Sequence, residues 1–195
     1  MTAAAFIAPP PLADDDGFCV RSLAATYPHG SGEPPHRHHW GQLVYGVSGV
    51  IRVALDRAAW IAPPTRAIWV PPGVTHALSM KGQVAMRTLY IAPGWASALP
   101  REAAVLEVEP LLREVILHVL KIGMLAPDQP AHERLAGFLV DRLAAGARGG
   151  GVAAHPAAAV SGRDRPVAGS LAPEGEADPR HGHHLGGRGR DRGGA

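Results

Sequence analysis

Between Phe18 and Pro93 the chain is interrupted every few residues by glycines and prolines. The stretches between the breaks are short, apolar and rich in Val, Ile, Trp and Tyr. QLVYGV, GVIRVAL, AIWVPPG and VAMRTLYIA have the length and the β-branched and aromatic composition of strands. TYPHGSGEPP, DRAAWIAPPTR and PPGVTH read as the turns that join them. No helical period intervenes. Many short strands without crossover helices predict an all-β sandwich or barrel.

The pattern changes after about residue 107. In EPLLREVILHVLKIG the apolar residues Leu112, Val115, Ile116, Val119 and Leu120 recur on one face of a helix. Pro110 suits its first turn and Gly123 its C-terminal stop. A second helix starts at Pro130 and carries Leu135, Phe138, Leu139 and Leu143, with Gly146 as its expected end. Two amphipathic helices joined by a short turn form a hairpin. Its stripes have three possible partners: the barrel, each other, or a second subunit.

From residue 146 onward there is no Phe, Trp, Tyr, Ile or Met. Gly, Ala, Arg, Pro and His follow in no regular order, and such a composition buries too little apolar surface to offset ordering entropy. The expected organisation is a flexible arm over 1–17, a β-barrel over 18–106, a helical hairpin over 107–145 and a disordered tail over 146–195. The net charge of +2 gives no strong pull toward nucleic acid or a membrane. The lone cysteine, Cys19, rules out an internal disulfide and fits a reducing compartment. The N-terminus lacks the basic and apolar regions of a signal peptide. No run reaches the ~20 apolar residues of a membrane helix. The expected location is therefore the cytoplasm, with no membrane partner.

The densest chemistry lies in HRHHWGQLVYGVSG. His36 and His38 have the i, i+2 spacing that puts two strand side chains on one face. Gln42 rejoins that face if the chain turns or bulges at HWG, and Val44 follows in phase. A second segment, PPGVTH, sets Pro71, Gly73 and His76 in a P-x-G-x-x-H pattern, with Leu78 in phase behind it. Strands that face each other across a barrel would bring His36, His38, Gln42 and His76 together at its mouth. Imidazoles suit zinc, nickel, iron and copper. The bland alternative is that these groups bind only water or backbone. Other histidines and aromatics read as surface or core: His39 in the turn, His118 and His132 on helices, and the tryptophans as barrel core and rim.

These paired segments resemble the two motifs of the cupins, with Gln42 standing where that family places a metal-binding glutamate. A narrower resemblance covers HRHHWGQLVYGVSGVIRV, WIAPPTRAIW (Trp60 to Trp69), MRTLYIAP and VLEVEPLLREVIL. Together they look like the effector-binding half of AraC-type transcriptional regulators, as far as about Leu143. The resemblance implies a mainly β, cupin-like double-stranded β-helix (jelly roll) followed by two helices that often mediate dimerisation. It also implies a small-molecule effector and a homodimer. The expected metal site is His36, His38, Gln42 and His76, holding zinc, nickel or iron if a metal is present. Val44, Trp69 and Leu78 are the expected pocket wall. Leu112, Val115, Ile116, Val119, Leu135, Phe138 and Leu139 are the dimerisation candidates.

The family pattern continues into a helix-turn-helix domain, for which the tail offers no amphipathic helix or recognition helix. Specific DNA binding is therefore expected only of an intact parent. The abrupt change near residue 146 fits either a frameshifted, truncated regulator or a stand-alone sensor. A metal-dependent cupin enzyme, a dioxygenase or isomerase, is the alternative function. Against it, Gln42 removes the usual carboxylate, and no other acid or base is expected near the motifs: Glu33 precedes PPH, and Asp56 lies in a turn. No catalytic residue is assigned.

Overall fold

A computed structural model describes residues 17–56 and 58–149. The arm before residue 17 and the tail after 149, with the expectations made for them, lie outside the described residues. The elements are β1 (Val20–Tyr27), β2 (Gly32–His36), β3 (Gly41–Leu55), β4 (Ala58–Ala62), β5 (Arg66–Val70), β6 (His76–Ile91), α1 (Pro93–Ala96), β7 (Ala104–Glu107), α2 (Pro110–Ile122), β8 (Met124–Leu125) and α3 (Pro130–Gly149).

The strands form one antiparallel sheet in the order β7-β5-β3-β6-β1-β8, with β2 added to β6 and β4 to β3. Its spine is the pairing of the two long strands β3 and β6. Their first and last thirds pair differently. Gln42 to Tyr45 of β3 lie beside β5, whereas Ile51 to Leu55 lie beside β4. Between them the β3–β6 register shifts twice, from Gly46 to Val50. Such irregularities bend a strand and sharpen its twist. Gly49 sits there with φ 75°, and a Cβ at this position would be 2.5 Å from the Gln83 carbonyl oxygen. The bend therefore requires glycine in both conformation and space.

The sheet folds over a core of Tyr27, Val44, Ile51, Val53, Trp60, Ile68, Val70, Leu78, Met80, Val84 and Met86. The other face of the same strands carries Leu43, Tyr45, Trp69, Leu89 and Ile91, and α2 and α3 pack against it. Strand alternation separates the two layers, because neighbouring residues point to opposite faces. The result is the mainly β, cupin-like architecture with a helical pair that the sequence predicted. No helix among the described residues is long and apolar enough to cross a membrane.

Several expectations about elements need correction. QLVYGV and GVIRVAL are one continuous strand, β3. DRAAWIAPPTR contains β4, and TYPHGSGEPP contains the end of β1 and most of β2. Gly146 does not end α3, which continues to Gly149. A Cβ at Gly146 would stand 3.5 Å from Leu106 Cδ2, so this glycine faces β7 at close range. The α2 boundaries agree with the sequence. Pro110 begins it, and Gly123 caps it at φ 94° while donating its N–H to the Val119 carbonyl.

Leu112, Val115, Ile116, Val119 and Leu139 are buried in this chain's own core, against the outer face of the sheet. That removes them from the surface expected for dimerisation. Most of each helix's stripe is buried within the chain. Leu135 is half-buried at its edge, and Phe138 is 43% exposed.

Candidate functional site

The histidines come from three segments. β2 pairs antiparallel with β6, setting His36 opposite His76, and its register shifts between Glu33 and His36. Pro34 and Pro35 occupy the shift and face outward. Prolines are tolerated at an irregular edge of this kind because they lack the ladder N–H. His38 lies in the connection to β3, and its carbonyl accepts the Gly73 N–H at 2.9 Å. Gly73 has φ 77°, which explains the glycine of the P-x-G-x-x-H turn. This bond joins the two histidine segments directly.

The ligand-capable nitrogens of His36, His38 and His76 all lie within 4.8 Å of one another. Each ring is oriented by its Nδ1. His36 Nδ1 meets the Pro34 carbonyl at 2.8 Å, and His76 Nδ1 meets the Val74 carbonyl at 2.9 Å. His38 Nδ1 meets the Trp40 carbonyl. A neutral imidazole that donates Nδ1–H keeps its lone pair on Nε2, the arrangement by which outer-shell carbonyls orient metal-binding histidines.

Gln42 is fully buried at the start of β3. Its Nε2 donates to Thr88 Oγ1 at 3.1 Å and to Tyr90 OH at 3.3 Å. Its Oε1 stands 2.8 Å from His76 Nε2 and 3.2 Å from His38 Nε2. Thr88 gives its own proton to the Leu43 carbonyl, so its oxygen is free to accept from the amide. Turning the amide over would set Oε1 against an oxygen whose proton is already engaged.

Burial pushes the His76 imidazolium down to about 4, with the charges of His36 and His38 adding to the effect. Burial likewise lowers His38. His76 is therefore neutral near neutral pH. With Nδ1–H committed to a carbonyl, its Nε2 lone pair faces the Gln42 oxygen, two acceptors at hydrogen-bond distance. A cation bound by both lone pairs as neighbouring ligands would remove that conflict. Three imidazole nitrogens and an amide oxygen form a donor set suited to zinc, nickel or iron, and on this ground the residues fit a metal.

Sequence spacing does not reveal the acid of the site. The sequence reading found no acid near the motifs, yet Glu33 is buried beside them. Its Oε1 accepts from Tyr27 OH at 2.8 Å, and its Oε2 lies 3.6 Å from His36 Nε2. Both Oε2 and His36 Nε2 are buried without a hydrogen-bond partner. Burial raises the Glu33 carboxyl, opposed by the Tyr27 hydrogen bond and by His36. Thr88 and Tyr90 were missed as well. Both stand in phase with Met86 on the inner face of β6, and Tyr90 is the register partner of Gln42.

The expected pocket wall divides between the layers. Val44 and Leu78 face the inner core. Trp69 does not: it lies one residue out of phase with Ile68 and Val70 and packs under the helices, its Nε1 donating to the Pro100 carbonyl at 2.9 Å. The open space beside the histidines is a cleft of about 300 Å³ lined by Arg37, His38, His39 and Gly73. His39 is exposed at this rim, and His118 is exposed on α2.

Residues 20–149 match the sequence model of the family described as the AraC-like ligand binding domain. The chain belongs to this family. It is 33% identical over 110 residues to the HTH-type transcriptional regulator NimR of Escherichia coli K12, a match that covers 56% of this chain and 40% of the relative. The chain thus spans well under two thirds of the length of that curated relative. Among solved structures, the AraC-like transcriptional activator CuxR is similar with a TM-score of 0.46, at 16% identity over 57% of this chain and 43% of that one. An RmlC-like cupin from Shewanella frigidimarina has a TM-score of 0.36, at 19% identity over 38% of this chain and 67% of that one.

Proposed function

We propose that this AraC-type ligand-binding domain senses a small-molecule effector at the mouth of its barrel, through a divalent transition metal held by His36, His38, His76 and Gln42. The observation that carries this reading is the convergence of a nitrogen from each of three histidines, with Gln42 Oε1 against His38 and His76 Nε2 and every Nδ1 engaged by a carbonyl. A bound zinc, nickel or iron ion would supply a Lewis-acidic position for an effector oxygen or nitrogen. The chain's residues do the rest. The carbonyls of Pro34, Trp40 and Val74 fix the rings, while Thr88 and Tyr90 fix the amide of Gln42. Arg37 and His39 line the cleft through which an effector reaches His38.

The path outward is short. On β3 the residue after Gln42 is Leu43, which packs in the layer shared with α2 and α3. A change at Gln42 that favours one position of β3 therefore acts on the helices through the next side chain. We assign the homodimer contact to the apolar side chains that the helices leave outside, Leu111, Ile122 and Phe138. The cytoplasm is the site of action, and DNA binding belongs to a longer regulator with a helix-turn-helix part.

The test is a small-molecule screen by thermal shift on the full chain, metal-loaded and chelated, repeated with His38→Ala. Stabilising compounds that act only on the loaded, unaltered chain support the reading. Compounds that stabilise all forms equally overturn the role of the centre. Glu33 gives the enzyme alternative the acid it lacked, so the hits are also incubated with the loaded protein. Turnover that disappears in His38→Ala would replace sensing with catalysis.

A further inference from the structure

We propose that Glu33 supplies the negative charge of this centre, in place of the carboxylate that Gln42 does not provide. The proposal rests on the metal reading above. Three neutral imidazoles and an amide leave a divalent ion uncompensated at the edge of an apolar barrel, and an uncompensated charge is costly there. Glu33 is the carboxylate in place to offset it. Its side chain has no solvent exposure. Tyr27 OH satisfies Oε1 and orients the group, leaving Oε2 without a hydrogen bond and 3.6 Å from His36 Nε2, which also makes none. Two orphaned polar atoms at one buried point, one on a candidate ligand and one on an acid, are what a missing cation would leave.

Local structure explains how Glu33 reaches this face. Residues three apart on a regular strand point to opposite sides. The register shift at Pro34 and Pro35 cancels that parity, so Glu33 and His36 both turn inward. The carboxylate enters from β2, the strand that also carries His36, rather than from β3, which carries Gln42.

The experiment measures Zn²⁺ affinity of the full chain by competition with a chromogenic chelator, for the unaltered protein, Glu33→Gln, Gln42→Glu and the double variant. His76→Ala removes the centre and reports any zinc held by the tail histidines. Glu33→Gln is isosteric and keeps an acceptor for Tyr27 OH. It is expected to weaken zinc binding about 10- to 100-fold, the range for loss of an outer-shell partner. Adding Gln42→Glu is expected to restore most of that loss, which a purely structural role for Glu33 would not allow. Unchanged affinity in Glu33→Gln, or a loss without rescue, overturns the proposal alone. Zinc binding that the unaltered chain shares with His76→Ala overturns both this proposal and the metal reading. If Glu33→Gln does not fold, the zinc-minus-apo infrared difference spectrum of the unaltered chain decides. A carboxylate band that is absent in His76→Ala supports the proposal, and no such band overturns it.

Discussion

Gly41 shows how tightly single residues constrain the site. A Cβ there would lie 2.1 Å from Trp69 Cη2 and 2.8 Å from Cζ2. The indole is 1% exposed and tied to the Pro100 carbonyl, so it has little room to withdraw. Gly41→Ala should therefore destabilise the fold by about 1–3 kcal/mol through overpacking, and it should displace the adjacent Gln42. Urea unfolding measures the first effect and zinc competition the second; an unchanged midpoint would show that the strand can shift. At this scale much of the site was legible. His36, His38, Gln42 and His76 follow from motif spacing, because a spacing of two and a glycine turn have fixed geometric meaning. Glu33 was not legible, since only the irregularity at two prolines brings it inward. Trp69 was misplaced for a different reason: β5 is buried on both faces, so its sequence AIWV carries no sign of which face is which.

At the scale of elements, α2 was read correctly to its ends because proline and glycine mark both of them. The sequence predicts turns where β2 and β4 lie. GEPPH has weak strand propensity, AAWIA is short with three alanines beside its Trp and Ile, and it is the ladders to β6 and β3 that make them strands. The helices also make a prediction that separates core from surface. Ile116 is fully buried and Phe138 is 43% exposed. Ile116→Ala should cost about 2–5 kcal/mol, the usual range for a truncated core aliphatic. Phe138→Ser should cost the monomer only about 1 kcal/mol, because the ring is partly exposed, yet shift association toward monomer in sedimentation velocity. An unaltered monomer–dimer balance in Phe138→Ser and Leu111→Ser together would remove the outer helical surface as the contact.

At the scale of the molecule, one sheet serves two layers. Its inner face holds the histidine centre and its outer face holds the helices, and alternate residues of β3 and β6 belong to each. Occupancy of the centre should therefore slow amide exchange in β3 and, through Leu43, at the buried face of α2. Hydrogen exchange with and without zinc checks this, and protection confined to the histidine segments would break the link between site and helices. Equilibrium dialysis of the tag-free, metal-stripped full chain against Zn²⁺ decides whether the histidines hold a metal. The unaltered protein is compared with His38→Ala and His76→Ala. The tail carries His181, His183 and His184, so the comparison matters more than the total. The expected result is a tight equivalent of zinc that both substitutions abolish, while any weaker binding stays the same in all three. Equal zinc uptake by all three proteins would contradict it and leave the histidine cluster as a hydrogen-bonded wall without a metal.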